Sequence, residues 1–181
     1  MARRRARELA FRTLFQSERG SEDLLSVWTS VRTELGEAGE DDADRSYGEA
    51  YGDPLDGGGI AFADSLLRSY VENKDSVEAV LAGNVTGWSF NQMAQTDLNV
   101  LRLAVTEMYY ADNPPEVAIE MAVRLAKKFG GDESGRFVNG VLAKVYRELK
   151  NTAGDAGAAP STAPSSGDAG PAQEDDLQSE R

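Results

Sequence analysis

The feature that most limits the fold is a pair of prolines. Pro114-Pro115 stand between two apolar stretches of helical period, TDLNVLRLAVTEMYYADN before them and EVAIEMAVRLAKKFGG after. A proline inside a helix removes a backbone donor and clashes with the preceding turn, so one helix running through this point is excluded. Proline does suit the first turn of a new helix. In the first stretch Leu98, Leu101, Val105 and Met108 recur on one helical face, and Thr96 can cap its start. In the second, Val117, Met121 and Leu125 fall at i, i+4 and i+8. Lys127 and Lys128 suit the negative C-terminal end of the helix dipole, and Gly130 supplies a left-handed cap. Helices joined by so short a connection pack antiparallel.

The same period recurs elsewhere. Ala6, Leu9, Ala10, Thr13 and Leu14 trace one helical stripe, with Phe11 and Phe15 beside it. Leu24, Leu25, Trp28, Val31 and Leu35 predict a second helix, with Ser21 as its cap and Gly36 near its end. Ile60, Phe62, Ala63, Leu66, Leu67, Tyr70 and Val71 predict a third, after the glycines at 57–59. Val77 to Leu81 either continues it or forms a short separate turn. TGWSFNQM, with Trp88 and Phe90, predicts a short helix. The last pattern, DESGRFVNGVLAKVYREL, is expected to be capped by Asp132 and to bury Val138, Val141, Leu142 and Val145. Gly135 and Gly140 each cost about 1 kcal/mol relative to alanine inside a helix. Gly140 is expected to let another helix approach closely. No apolar alternation of period two occurs, so the expected fold class is all-α, a bundle of about seven helices.

Charge is distributed unevenly. The formal net charge is −12, yet residues 1–20 carry six arginines against two glutamates. Acid concentrates in two other places: residues 37–58 hold eight acids and one arginine, and residues 151–181 hold six acids and one arginine. The first, EAGEDDADRSYGEAYGDPLDGG, lacks apolar period and is expected to be a flexible acidic insertion. The second is rich in Ala, Gly, Pro and Ser without aromatics, and residues 150–181 are expected to be a disordered tail. Both segments serve solubility or compete electrostatically for the basic end. The folded unit is expected to span residues 1–149.

Several function classes drop out. The chain has neither cysteine nor histidine. Thiolate zinc sites, cysteine nucleophiles and a Ser-His-Asp triad are therefore impossible. Neither a P-loop nor a dinucleotide fingerprint is present. No apolar run is long enough to span a membrane. Glu8, Arg12 and Thr13 interrupt any signal-like run after the arginines, so a soluble cytoplasmic protein is expected. Asp132-Glu133 reads as a helix cap and first-turn dipole partner rather than an acid/base pair. No catalytic residue, metal site or cofactor is expected.

The opening RRRAR is different in kind. Cations at a helix start oppose the helix dipole, so a bound anion is the natural explanation for Arg3, Arg4, Arg5 and Arg7. Guanidinium groups bind phosphate bidentately and stack on bases. Single-stranded RNA is read by aromatic stacking and by amide contacts to base edges, so sequence preference must come from groups other than these arginines. Core packing remains open for Phe137, and an ordinary surface position for Asn139. Phe15 reads as core, or as bordering a binding surface. Trp88, Tyr109 and Tyr110 read as packing residues.

At FVNGVL (137–142), with KKFGGDESGR just before it, the chain resembles the NusB transcription antitermination family. RRRARELAFRTLF (3–15), VLRLAVTEM (100–108), PPEVAIEMAVRLAKKFG (114–130) and DESGRFVNGVLAKV (132–145) occur in family order and spacing. The resemblance implies an all-α fold of two three-helix-bundle-like halves without enzymatic activity. It also implies binding of single-stranded boxA RNA together with ribosomal protein S10 (NusE), alongside RNA polymerase and other Nus factors, notably on ribosomal RNA operons. It maps the RNA surface onto Arg3, Arg4, Arg5, Arg7, Arg136, Phe137 and Asn139. Some family members dimerise, so a homodimer is possible. The acidic insertion and the tail depart from the family pattern. Two alternatives stay open: a protein-only adaptor for NusE, and a stand-alone relative of the N-terminal domain of ribosomal-RNA cytosine methyltransferases.

Overall fold

The computed structural model describes residues 2–37, 55–85, 87 and 89–156. They form helices α1 (Ala2–Gly20), α2 (Leu24–Glu37), α3 (Gly57–Glu72) and α4 (Lys74–Asn84), a 3-10 turn at Phe90–Gln92, α5 (Gln95–Tyr110) and a last helical segment, Pro115–Ala156. That segment breaks at Gly131, whose φ of 86° and ψ of −175° are not helical. The helix before the break is α6 and the one after it α7. The all-α expectation therefore holds, with seven helices among the described residues. Residues 38–54 and 157–181 lie outside them, and with them most of the expected insertion and tail; Trp88 does too. The described ends of those segments are helical: α3 starts at Gly57, and α7 continues past Lys150 to Ala156.

The helix boundaries correct several expected caps. Asp23, not Ser21, caps α2, its carboxylate accepting from the Ser26 amide at 2.9 Å. Ser21 instead turns the chain with a φ of 52°. Asp56 caps α3 by accepting from the Gly59 amide at 2.7 Å. α5 begins one residue before Thr96, with Ala94 at the cap position and no side-chain cap. The left-handed residue after α6 is Gly131 rather than Gly130, in a backbone region open almost only to glycine. Across that break the Ser134 hydroxyl donates to the Gly130 carbonyl at 3.1 Å, tying the first turn of α7 back to the end of α6.

Helices α1, α2 and α3 pack on one another, and so do α4, α5 and the α6–α7 hairpin; α5 also lies against α1 and α3. This is the expected pair of halves: α5 packs on both, and α1 also touches the hairpin directly. Every residue of α5 from Asp97 to Met108 is buried, not only the expected face of Leu98, Leu101, Val105 and Met108. Arg102 and Thr106 are tolerated there because they find partners, while Asp97 Oδ1 and Asn99 Nδ2 are buried without one. Arg102 donates to Glu78 at 2.6 Å and to Asn99 at 3.0 Å, and pairs with Glu18 at 3.2 Å. The Thr106 hydroxyl donates to the Arg102 carbonyl at 2.8 Å.

The hairpin of α6 and α7 packs tightly for reasons of residue size. The buried stripe of α6 is Ala118, Ala122 and Ala126, one position on from the expected Val117, Met121 and Leu125. Val117 is exposed. On α7 the expected Val138, Val141, Leu142 and Val145 are all buried. Two glycines permit close approach here: a Cβ on Gly130 would collide with Ser134, and one on Gly135 with Lys127. Gly140 faces open space, which corrects its expected packing role.

One ionic hub fastens the first half. The Trp28 indole donates to Asp64 at 2.8 Å, Arg68 donates to it at 2.8 Å, and Arg32 at 3.2 Å. The Arg68 hydrogen bond, aided by Trp28 and Arg32, lowers the Asp64 pKa from its ordinary value.

Candidate nucleic-acid interface

The arginines at the start of α1 divide into two groups. Arg3 and Arg4 are exposed and Arg5 is half-buried. Arg7 turns inward: it is 8% exposed and donates from Nε to Glu107 Oε2 at 2.7 Å, with Nη2 on Glu107 Oε1 as well. A third donor, Nη1, reaches the Arg3 carbonyl at 3.1 Å. Helical geometry explains the split, because Arg7 shares a face with Ala10, Phe11 and Leu14, all buried. The signal was present in the spacing.

Asn113, in the turn between α5 and α6, extends this arrangement. Its Oδ1 accepts from Arg3 Nη1 at 2.5 Å, and its Nδ2 donates to Glu107 Oε1 at 3.1 Å. Arg3 and Arg7 both lie over the Phe62 ring of α3, with Cζ 5.4 and 4.9 Å from its centroid. The basic end of α1 is thus held in one orientation rather than left as a loose tail.

A second source of positive charge sits on α6. Arg124, Lys127 and Lys128 are exposed, and their i, i+3, i+4 spacing puts them on one face. Sequence reasoning treated the two lysines only as dipole partners and passed over Arg124. Glu8 joins the two helices, accepting from Lys128 Nζ at 2.7 and 2.8 Å and from Arg12 Nη2 at 3.1 Å. Arg12 and Lys128 flank the Phe129 ring at 5.1 and 5.4 Å, and Phe129 packs on Phe11 with centroids 4.9 Å apart. Phe129 is half-buried, an aromatic with cations over its ring that no sequence pattern singled out.

The α7 residues are placed less uniformly. Asn139 is exposed and lines a groove with Ile119, Val123, Arg124 and Lys127. Arg136 is exposed one turn earlier on the same face and is paired with Glu133. Phe137 is half-buried and packs against the core. Arg124 borders both the Asn139 groove and a second groove lined by Arg4, Glu8 and Lys128. It is therefore the link between the RRRAR end and the RFVNG segment. Among the described residues no cluster of three or more acids offers a metal site, and no helix is long and apolar enough to cross a membrane.

The model of the NusB family matches residues 4–147. The chain belongs to the NusB family. It is 48% identical over 159 residues to the transcription antitermination protein NusB of Thermus thermophilus, covering 85% of this chain and 99% of that one. The structure of T. maritima NusB superposes with a TM-score of 0.63 at 32% identity, over 81% of this chain and 91% of that one. A NusB chain from a structure of NusB and NusE with double-stranded RNA shares the fold, with a TM-score of 0.63 at 22% identity, over 81% of this chain and 97% of that one. The NusB match spans α1 through α7, so the cationic faces of α1 and α6 lie inside the family's own domain.

Proposed function

We propose that this chain is a non-enzymatic transcription antitermination factor. It binds boxA RNA together with ribosomal protein S10 (NusE) and acts alongside RNA polymerase and other Nus factors, notably on ribosomal RNA operons, in the cytoplasm. The carrying observation is the continuity of positive charge from Arg4 on α1, through Arg124, to Lys127 and Lys128 on α6. Two rigid helices present it, so a phosphate backbone meets preset charges at little ordering cost. Phe129, between Arg12 and Lys128, and Asn139, beside Lys127, supply stacking and base-edge groups along that path. Arg136 stands one turn before Asn139 on the same face, Phe137 packs against the core beneath, and Arg7 fixes the end of α1. The 48% identity to the T. thermophilus antitermination protein over 99% of its length favours this reading over a stand-alone relative of the methyltransferases' N-terminal domain.

The test is a binding titration of the purified chain with boxA-containing and scrambled RNA, with and without NusE, at several salt concentrations. Preference for boxA in the presence of NusE, weakening as salt rises, is expected. Equal binding of both RNAs would refute specific recognition. A complex with NusE that RNA does not join would instead favour the protein-only adaptor.

A further inference from the structure

Beside the Arg3–Asn113–Glu107–Arg7 network lies a cleft of about 240 Å³ between α3 and the turn from α5 to α6. Arg3, Phe62, Ser65, Tyr110, Asp112 and Asn113 border it. Its volume is below the range of drug-sized ligand pockets, so it suits a single planar ring system. Tyr110 is 42% exposed, large for an aromatic at a helix end. Arg3 is fixed over Phe62 by Asn113. Guanidinium planes stack on bases as readily as on aromatic rings, so Arg3 can hold a base on the side away from Phe62. The Asp112 carboxylate opposes entry of a free phosphate. It accepts hydrogen bonds from the amino groups of bases instead.

We propose that this cleft is a base-binding subsite. It takes one unstacked nucleobase carrying an exocyclic amino group, from the strand whose backbone lies along the α1 and α6 cations. Tyr110 and Arg3 stack on the base, and Asp112 accepts from its amino group. The inference rests on the RNA reading above and adds a position at which sequence is read on the α3 side of α1.

The experiment uses the full chain with NusE and a set of boxA RNAs, each lacking one base. Tyr110→Ala is expected to weaken binding of intact RNA by at least about fivefold. Tyr110→Phe keeps the ring and is expected to bind as the unaltered chain does. The Tyr110→Ala loss should vanish against one abasic RNA and persist against the others. At that position cytosine, adenine and guanine should be preferred to uracil, and Asp112→Ala should abolish the preference. Thermal midpoints of the variants should match the unaltered chain, since both residues are exposed. A Tyr110→Ala loss equal across all abasic RNAs, no loss at all, or a preference for uracil would overturn the subsite while leaving the RNA reading intact. Saturable binding of free cytidine monophosphate without any position-dependent loss in RNA would overturn it also. Failure of the unaltered chain to bind any RNA would overturn both.

Discussion

Arg7 and Glu107 lie 100 positions apart in the chain and meet as a buried two-point ion pair that ties α1 to α5. Removing one partner of a buried pair strands the other charge, which costs about 3–5 kcal/mol. Glu107→Ala is therefore expected to lower the free energy of unfolding by that order, measured by urea denaturation. The double change Arg7→Met, Glu107→Leu should recover much of the loss, because no charge is left unpaired.

The inward turn of Arg7 separates it experimentally from its neighbours. Arg7→Ala should reduce stability while leaving the salt dependence of RNA binding nearly unchanged. Arg4→Ala should leave the thermal midpoint unchanged and shrink the slope of log K against log salt by about 0.7, the value for one phosphate of a single strand. Isothermal binding at four or five salt concentrations distinguishes the two.

Arg124 bridges the two grooves and, among the described residues, makes an exposed pair with Glu120. Such pairs contribute about 0–1 kcal/mol. Arg124→Gln is expected to fold as the unaltered chain does and to lose affinity for boxA and scrambled RNA alike. A loss confined to boxA would mean that Arg124 contacts a base.

Three glycines of the hairpin should respond differently to alanine. Gly131→Ala forces a Cβ into a backbone region that costs about 1–3 kcal/mol and should be destabilising. Gly135→Ala must displace Lys127 and should be destabilising too. Gly140→Ala meets open space and should stabilise by up to about 1 kcal/mol. Thermal melts of the three variants test the ordering.

The Asp64 hub predicts an acid-sensitive contribution. Its folded pKa is lowered, so the stabilisation is present above the unfolded carboxylate value and fades as pH falls through the folded one. Asp64→Asn should cost on the order of 1 kcal/mol at neutral pH. The gap between variant and unaltered chain should narrow below about pH 4.

Much of this architecture can be read directly from apolar spacing. Val138, Val141, Leu142 and Val145 form the buried face of α7, and Pro114-Pro115 separate α5 from α6 as sterics require. What escaped was partnership between distant residues. Asn99, Arg102 and Thr106 recur at i, i+3 and i+7, which looks like a solvent face. Arg102 can be buried because Glu78 and Glu18, on other helices, satisfy it, and Thr106 because its hydroxyl donates to the Arg102 carbonyl. The buried stripe of α6 was missed because alanine gives a weak apolar signal beside Val117, Met121 and Leu125. At the candidate interface the RRRAR cluster and Asn139 were legible as chemistry. Arg124, Lys127 and Lys128 became part of it only once α6 was seen to lie beside α1.

A one-residue connection gives the α6–α7 hairpin a definite phase. An α-helix turns about 100° per residue, so one residue inserted beside Gly131 would rotate α7 by more than a quarter turn relative to α6. Asn139 would swing out of its groove, and valines that now face α5 would face water. Changes in length at this point are therefore changes of surface: the hairpin can be edited in side chains but not in count.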